Sequence, residues 1–355
     1  MSGMAGLGRL WNSIQTWLFP MLEDELGELD QKHREFVSVC ETCEPQLHMD
    51  SYRWVGNGCP PNSRLAMCKA FIAKAVWDFP TTRDLIDAVR NRPTLRRLCG
   101  WETLGEVPSE STFSRVFSAF AKDDLPQRIH QAMIKARYGD KIAGHISRDG
   151  TAIYGREKAT KKTPMPKRPS AEETASPRLQ CQLERTLDEN LADLPRDCDW
   201  GCKKNSQGKV EYWCGYKLHL DTIDGDIPLS WILTAASLHD SQAAIPLAQM
   251  SHRRVTSLYD LSDAAYDAKE IRQMSKQLGH VALIDHNPRR GEKREFSPAE
   301  AVRYRQRSSA ERVNSHLHDN HGGRHVRVRG GVKVTAHLSF GLLVIAAEQL
   351  IKLLA

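Results

Sequence analysis

Apolar residues recur at helical spacing through the first part of the chain: Leu7, Leu10, Trp11, Ile14 and Leu18, then Leu26, Leu29, Phe36 and Val37. A loop, Cys59 to Ser63, interrupts the pattern. It resumes from Arg64 with Leu65, Met67, Ala70, Phe71, Ala73, Lys74 and Trp77. Thr82 to Leu98 repeats it, with Thr81 or Thr82 placed to cap a helix that carries Asp84 in its first turn. Phe113, Val116, Phe117 and Phe120 then share one face of a helix that Ser109 or Ser111 can cap. Residues 1–140 therefore predict an all-helical domain with a short helix, turn, helix arrangement, a form used by DNA-binding domains and also by plain bundles.

The period changes at His145. HISRDGTAIYG predicts a strand, and Tyr216, Leu218 and Leu220, followed by a turn at Asp224 and Gly225 and by Leu229, Trp231 and Leu233, predict a hairpin. After it come a helix from Ser241 to about His252, a strand Ser257 to Asp263, a helix Lys269 to Leu278, a strand His280 to Asp285, and a helix beginning near Ser297. The last helix, Thr335 to Leu354, is apolar on most sides and is expected to lie against the sheet. This order predicts a second, α/β domain over residues 141–355, a mixed sheet with helices on its faces in which an antiparallel meander precedes crossover units. Between its first strand and the hairpin, residues 156–209 are rich in lysine and proline and poor in apolar side chains, which predicts a mobile basic insert.

Composition narrows the class. A chain of 355 residues with 40% hydrophobic and 26% charged residues is globular, and its nine cysteines, with no secretory signal, fit free thiols in a cytoplasmic protein. The apolar run Leu7 to Leu22 is broken by Arg9, Asn12 and Gln15, so no membrane segment is expected there. Cys40 and Cys43 have knuckle spacing but lack a second pair, and a structural zinc needs four ligands. The net charge of +6 matters through its placement: Arg289 to Lys333 holds twelve Lys or Arg against five Asp or Glu, a surface suited to a polyanion.

Within that region lies VRYRQRSSAERVNSHLH, residues Val302 to His318. Read as one helix, it gives an apolar seam of Ala310, Val313 and Leu317 and a second face of Tyr304, Arg307, Glu311 and His318. Taken alone, Arg307 and Glu311 are an i,i+4 surface ion pair worth a few tenths of a kcal/mol. Two other carboxylates change that reading: Asp149 in the first strand and Asp263 at the end of the strand after the hairpin helix. Adjacent strands would bring the two aspartates together, and a helix crossing them could deliver Glu311. Three carboxylates around one cleft repel, and all-oxygen ligation selects Mg²⁺ or Mn²⁺. Asp149 could equally start a turn at Gly150, and Asp240 and Asp267 read as helix caps. Tyr212, Trp213, Tyr216, Lys217 and His219 either line DNA or pack in the sheet.

The blocks ISRDGTAI, GYKLHLDTIDGDIPLSWILTAASLHDSQAAIPL, LSDAAYDAKEI and RSSAERVNSHLHDNHGGRHVRVRGGVKVTAHLSFGLLVIA resemble, in this order, the DDE transposases of bacterial insertion sequences. VPSESTFSRVFSAF resembles the segment these enzymes carry ahead of the catalytic domain. The resemblance covers residues 65–120 and 140–355 and implies an RNase H-like catalytic fold with Asp149, Asp263 and Glu311 as the metal triad, holding two Mg²⁺ that Mn²⁺ can replace. It implies DNA as the partner, both terminal inverted repeats and target, with a homodimer pairing the ends and no membrane or small-molecule substrate. DNA contacts would fall to Tyr304, Arg307, His318, Arg312, Arg324, Arg327, Arg329 and Lys217. The family signature runs Tyr, two residues, Arg, three residues, Glu, six residues, Lys; here the last position is His318. Between Asp263 and Glu311 stand 47 residues without a tryptophan, so the insertion that serves hairpin chemistry in some relatives is not expected. The implied activity is DNA cleavage and strand transfer; a nuclease without strand transfer and an inactive DNA-binding derivative remain alternatives.

Overall fold

The helical spacing of the first 140 residues is realised as α1 (Ser2–Ser13), α2 (Phe19–Leu26), α3 (Gln31–Cys43), α4 (Arg64–Val76), α5 (Thr82–Asn91), α6 (Pro93–Cys99), α7 (Glu110–Lys122) and α8 (Leu125–Tyr138). The computed structural model describes residues 2–56, 61–139, 141–160, 177–204, 208–287 and 295–353. Thr81 is the cap of α5: its hydroxyl accepts from the Asp84 N–H at 3.1 Å, and the Asp84 carboxylate accepts from the Thr81 N–H at 2.9 Å. This reciprocal pair satisfies two otherwise orphan donors at a helix start. Ser109 stands at the start of α7, but its hydroxyl meets the hydroxyls of Ser111 and Thr112 instead of capping the backbone. Phe113, Phe117 and Phe120 surround Phe71 at ring separations of 5.8, 5.0 and 6.2 Å, the aromatic centre of this helical unit. Cys40, Cys43, Cys68 and Cys99 are free and buried in its core, and burial pushes the Cys40 thiol up to about 12, which makes these inert packing residues.

The second unit is built on a six-stranded sheet. Its strands are β1 (Ile142–Tyr154), β2 (Asp199–Lys204), β3 (Val210–Ile223), β4 (Ile227–Ala235), β5 (Thr256–Ser262) and β6 (Val281–Ile284). β3 pairs antiparallel with β1 on one side and with β2 and β4 on the other, while β5 lies parallel to β1 and β6 parallel to β5. An antiparallel meander followed by parallel crossovers is the order the sequence predicts. The hairpin turn holds Gly225 at φ 84° and Asp226 at φ 58°, the left-handed conformation that tight hairpins use. Gly215, at φ 155°, is required for a different reason: a Cβ there would stand 2.1 Å from the Ile153 carbonyl across the ladder.

The sequence expectation of a wholly mobile insert over 156–209 needs correction. Residues 161–176 and 205–207 lie outside the described residues, but the remainder contains α9 (Pro177–Glu184), α10 (Leu187–Ala192) and β2. Leu179, Leu187 and Leu194 are buried, Gln182 is fully buried, and Asn190 donates to Gln249 at 3.0 Å. Lysine and proline content hid a leucine repeat of helical period. Next come α11 (Ser241–His252), α12 (Lys269–Gln277), α13 (Pro298–Tyr304) and α14 (Ser308–Asn320), with α11 and α12 forming a core with Tyr266 and Ile284.

Two boundaries also differ from expectation. The predicted single helix over 302–318 is broken by a 3-10 turn, Arg305–Arg307, so Tyr304, Arg307 and Glu311 come from three successive elements. The last helix, α15 (Gly331–Lys352), does not serve the sheet. Its residues from Val332, with 315–328, belong to the helical unit, while 141–314 and 329–331 form the sheet unit. Phe340 of α15 lies 5.7 Å from Phe71 and 6.4 Å from Phe117. Its mean hydropathy reaches 1.6 over an 18-residue stretch, that of a span, yet 78% of that stretch is buried in protein. A helix apolar on all sides shows that it is covered, not which core covers it.

Candidate active site

Along β1, successive side chains alternate between the two faces of the sheet. Ser147 and Asp149 point to one face, opposite Thr222 and Leu220 of β3. The polypeptide from Arg305 to Asn314 is tied to this face. The Ser147 hydroxyl donates to the Arg307 carbonyl, the Thr222 hydroxyl bonds the Ser309 hydroxyl at 3.1 Å, and the Asn314 amide donates to Asp149 Oδ2 at 3.0 Å. Ala310 and Val313, the apolar seam read from the sequence, are buried beneath it. Helix α14 therefore starts at a fixed height above β1, which leaves Glu311 on its half-exposed side.

Asp263 arrives from the neighbouring strand. The parallel pairing of β1 with β5 runs to Ser147 opposite Leu261, so two residues further along each strand Asp149 and Asp263 come level. Asp263 Oδ1 also accepts from the Ala265 N–H at 2.9 Å, which caps the 3-10 turn Ala264–Tyr266 and fixes the carboxylate at the strand end.

The electrostatics tie the three acids together. Burial, reinforced by Asp263 and Glu311, pushes the Asp149 carboxyl up to about 6, against the pull of the Gly150 N–H and Asn314. Asp263 is raised by burial first, with Asp240 and Glu311 adding and Arg307 opposing. Arg307 Nη1 lies 2.7 Å from Glu311 Oε1, so the predicted ion pair is present. Burial works against the Arg307 charge, but Glu311 outweighs it and holds the guanidinium protonated. Among the described residues no cationic side chain forms an ion pair with Asp149 or Asp263. Two buried aspartates without an ion-pair partner, beside a third acid whose cation is Arg307, suit a hard divalent cation.

The other predicted contact residues have partners or exposure of their own. Tyr304 donates to the Ser262 carbonyl at 3.4 Å, one residue before Asp263, and the Arg307 guanidinium lies 5.8 Å from its ring. Arg312 grips Asp226 with two hydrogen bonds of 2.7 and 2.6 Å. Lys217 is committed on the opposite face, 3.0 Å from Asp240. Arg329 is exposed. In the helical unit, Arg324 pairs with Asp319 at 2.6 Å, Arg327 is exposed, and His318 is half-buried on the last turns of α14. Asp240 begins α11 without capping it by its side chain, which goes to Lys217 instead. Asn314 was missed by sequence reasoning; its position three residues after Glu311 on one helix was the available signal. Arg303 and Arg305, exposed beside Tyr304, were missed as well.

A sheet in the order β4, β3, β1, β5, β6, with acids from the first strand, its parallel neighbour and a following helix, defines the RNase H-like class of nucleic-acid enzymes. Two family models match the chain, a transposase DDE domain over residues 179–346 and a transposase domain (DUF772) over residues 23–119. The chain belongs to the DDE transposases of insertion sequences. It is thus an enzyme acting on DNA, of a family that generally depends on divalent metal. The DDE match begins after β1, so the place of Asp149 rests on geometry. No curated protein and no solved structure matches the chain.

Proposed function

We propose that this transposase cuts at the ends of its element and joins them to target DNA by a cut-and-paste route, using Asp149, Asp263 and Glu311 to hold two Mg²⁺ ions. The observation that carries this reading is the convergence on one face of β1 of Asp149, of Asp263 level with it at the end of β5, and of the helix start that bears Glu311. Bound there, the ions would supply the Lewis acidity that activates water for cleavage and then the freed 3′-hydroxyl for in-line attack. The chain's own contribution is positioning. Asn314 orients Asp149, and the Ser147 and Thr222 contacts hold α14 so that Glu311 faces the two aspartates. Arg307, with Tyr304 beside it, presents its remaining N–H donors to a terminal phosphate, and Arg303 and Arg305 extend the same cationic strip. His318 takes the place of the lysine of the family signature and contacts phosphate when protonated. The helical unit holds the terminal inverted repeats, a homodimer pairs the two ends, and the protein works in the cytoplasm on the nucleoid.

The test uses purified protein with a duplex carrying the element's own ends. Wild type should nick it in Mg²⁺, Glu311→Ala should bind it without nicking, and pre-cleaved ends should yield strand-transfer products. An active Glu311→Ala variant would remove the triad assignment. Nicking without transfer would make the protein a nuclease, and binding without nicking even in Mn²⁺ would make it an inactive derivative.

A further inference from the structure

The histidines that follow Glu311 read from sequence as part of a basic tract, but two of them turn away from that use. In the helical unit, His316 of α14, His321 just beyond its end and Glu348 of α15 bring one ligand atom each within 4.8 Å of one another. The two Nε2 atoms are 3.3 Å apart, and Glu348 Oε2 stands 3.7 Å from His321 Nε2 and 4.0 Å from His316 Nε2.

The hydrogen-bond partners settle which ring atoms are available. His321 is 2% exposed, and its Nδ1 lies 3.0 Å from the Ala75 carbonyl in the last turn of α4, which also accepts from the Asp78 N–H at 3.3 Å. A carbonyl only accepts, so Nδ1 carries the proton and Nε2 is a bare lone pair aimed at His316 and Glu348. A ligand histidine fixed by its other ring nitrogen on a backbone carbonyl is the usual outer support of a metal centre. Glu348 has a side chain 10% exposed, and its Oε1 is buried with no hydrogen-bond partner. One proton on His316 Nε2 would satisfy a single contact of the three.

We propose that His316, His321 and Glu348 form a transition-metal site, with Zn²⁺ as its ion, separate from the Asp149, Asp263, Glu311 centre. In tetrahedral zinc with bonds of roughly 2.0–2.2 Å, ligand atoms stand about 3.3–3.5 Å apart, so the histidine pair already fits and Glu348 closes by about half an ångström. Imidazole nitrogen favours zinc over Mg²⁺ and Ca²⁺, so this site and the all-oxygen cluster select different ions. Glu35 of α3, within hydrogen-bonding reach of Glu348 and ion-paired to Lys32 at 2.9 Å, borders the remaining position. Glu35 and Glu348 also line a cavity of about 460 Å³ together with Trp11 and Phe19. Bound zinc ties the end of α14 to α15 within the helical unit.

The test is titration of full-length, metal-stripped protein with Zn²⁺ by calorimetry, with Mg²⁺ in large excess to occupy the carboxylate triad, alongside the zinc content after dialysis and the melting temperature. Wild type should bind one equivalent that Mg²⁺ does not displace and melt several degrees higher with it. His316→Gln and Glu348→Gln should weaken binding by at least about 100-fold, the upper end of what even an outer partner contributes. Circular dichroism establishes that these variants are folded, and Glu35→Gln should have the smaller effect. Absence of this equivalent in wild type, or zinc held as tightly by folded His316→Gln, would overturn the site.

Discussion

The two faces of β1 carry neighbouring charged residues with opposite fates. Arg148 points to the face covered by α11, directly opposite Asp221 of β3, and meets it with two hydrogen bonds of 2.8 Å; Ser251 of α11 adds a third to Asp221 at 2.7 Å. Both are buried, and Asp221 holds the guanidinium charged against the cost of burial. Asp149, the next residue, points to the face covered by α14 and receives only neutral donors, while burial first and then two acids raise its proton affinity. On the first face the fold has completed an ion pair; on the second it has assembled repulsion. Removing a partner from the first should therefore damage folding, and removing an acid from the second should damage chemistry while leaving the fold intact.

The largest effect expected is on chemistry. Asp149→Asn should lower Mg²⁺-dependent end cleavage by about 1,000-fold or more, as loss of a central catalytic group does, with unfolding free energy unchanged or raised. A variant that loses cleavage only because it unfolds, seen as a lowered denaturant midpoint, would break the contrast. Next comes Asp221→Ala, which strands a buried guanidinium and should cost about 3–5 kcal/mol in urea unfolding. A loss below about 1 kcal/mol would mean that Arg148 finds another partner. Asn314→Ala should reduce cleavage about 10- to 100-fold, the usual weight of an outer-shell group, with little change in melting temperature. Equal losses in rate and stability would assign Asn314 to the fold instead.

The smallest effect concerns pH. His219, buried on the Arg148 face with its Nε2 2.9 Å from the Thr234 hydroxyl, is lowered by burial to about 4, with Lys217, Arg148 and His239 adding and Asp240 opposing. The unfolded chain takes up a proton near pH 6.5 that the folded one refuses until about 4, so stability falls as pH drops through that window. His219→Gln should flatten this decline by at most about 1.4 kcal/mol per pH unit, measured by unfolding between pH 7 and 4. Identical slopes would show that other groups set the acid limit.

Much of this was legible before any coordinates. Alternation and turn chemistry placed β1, β3 and β4, and helical spacing placed Glu311 between the seam residues Ala310 and Val313. Trp213 and Tyr216 pack in the sheet unit and are buried, while Tyr212 is 69% exposed. The helices of the insert were hidden because their leucines are diluted by charge. Arg148 was silent because a lone arginine in a strand gives no sign of its partner 73 residues away.

The sequence by itself determined which residues face together, since side-chain direction follows from local backbone period alone. It thus fixed that Arg148 and Asp149 must part company and that Glu311 lies opposite the packed seam of its helix. Tertiary structure decided what each face meets: α11 with Asp221 on one side, Asn314 and two acids on the other. It also decided that α15 fills the helical core and that His316 and His321 converge with Glu348. Those outcomes depend on contacts between residues far apart in the chain, and no local period encodes them.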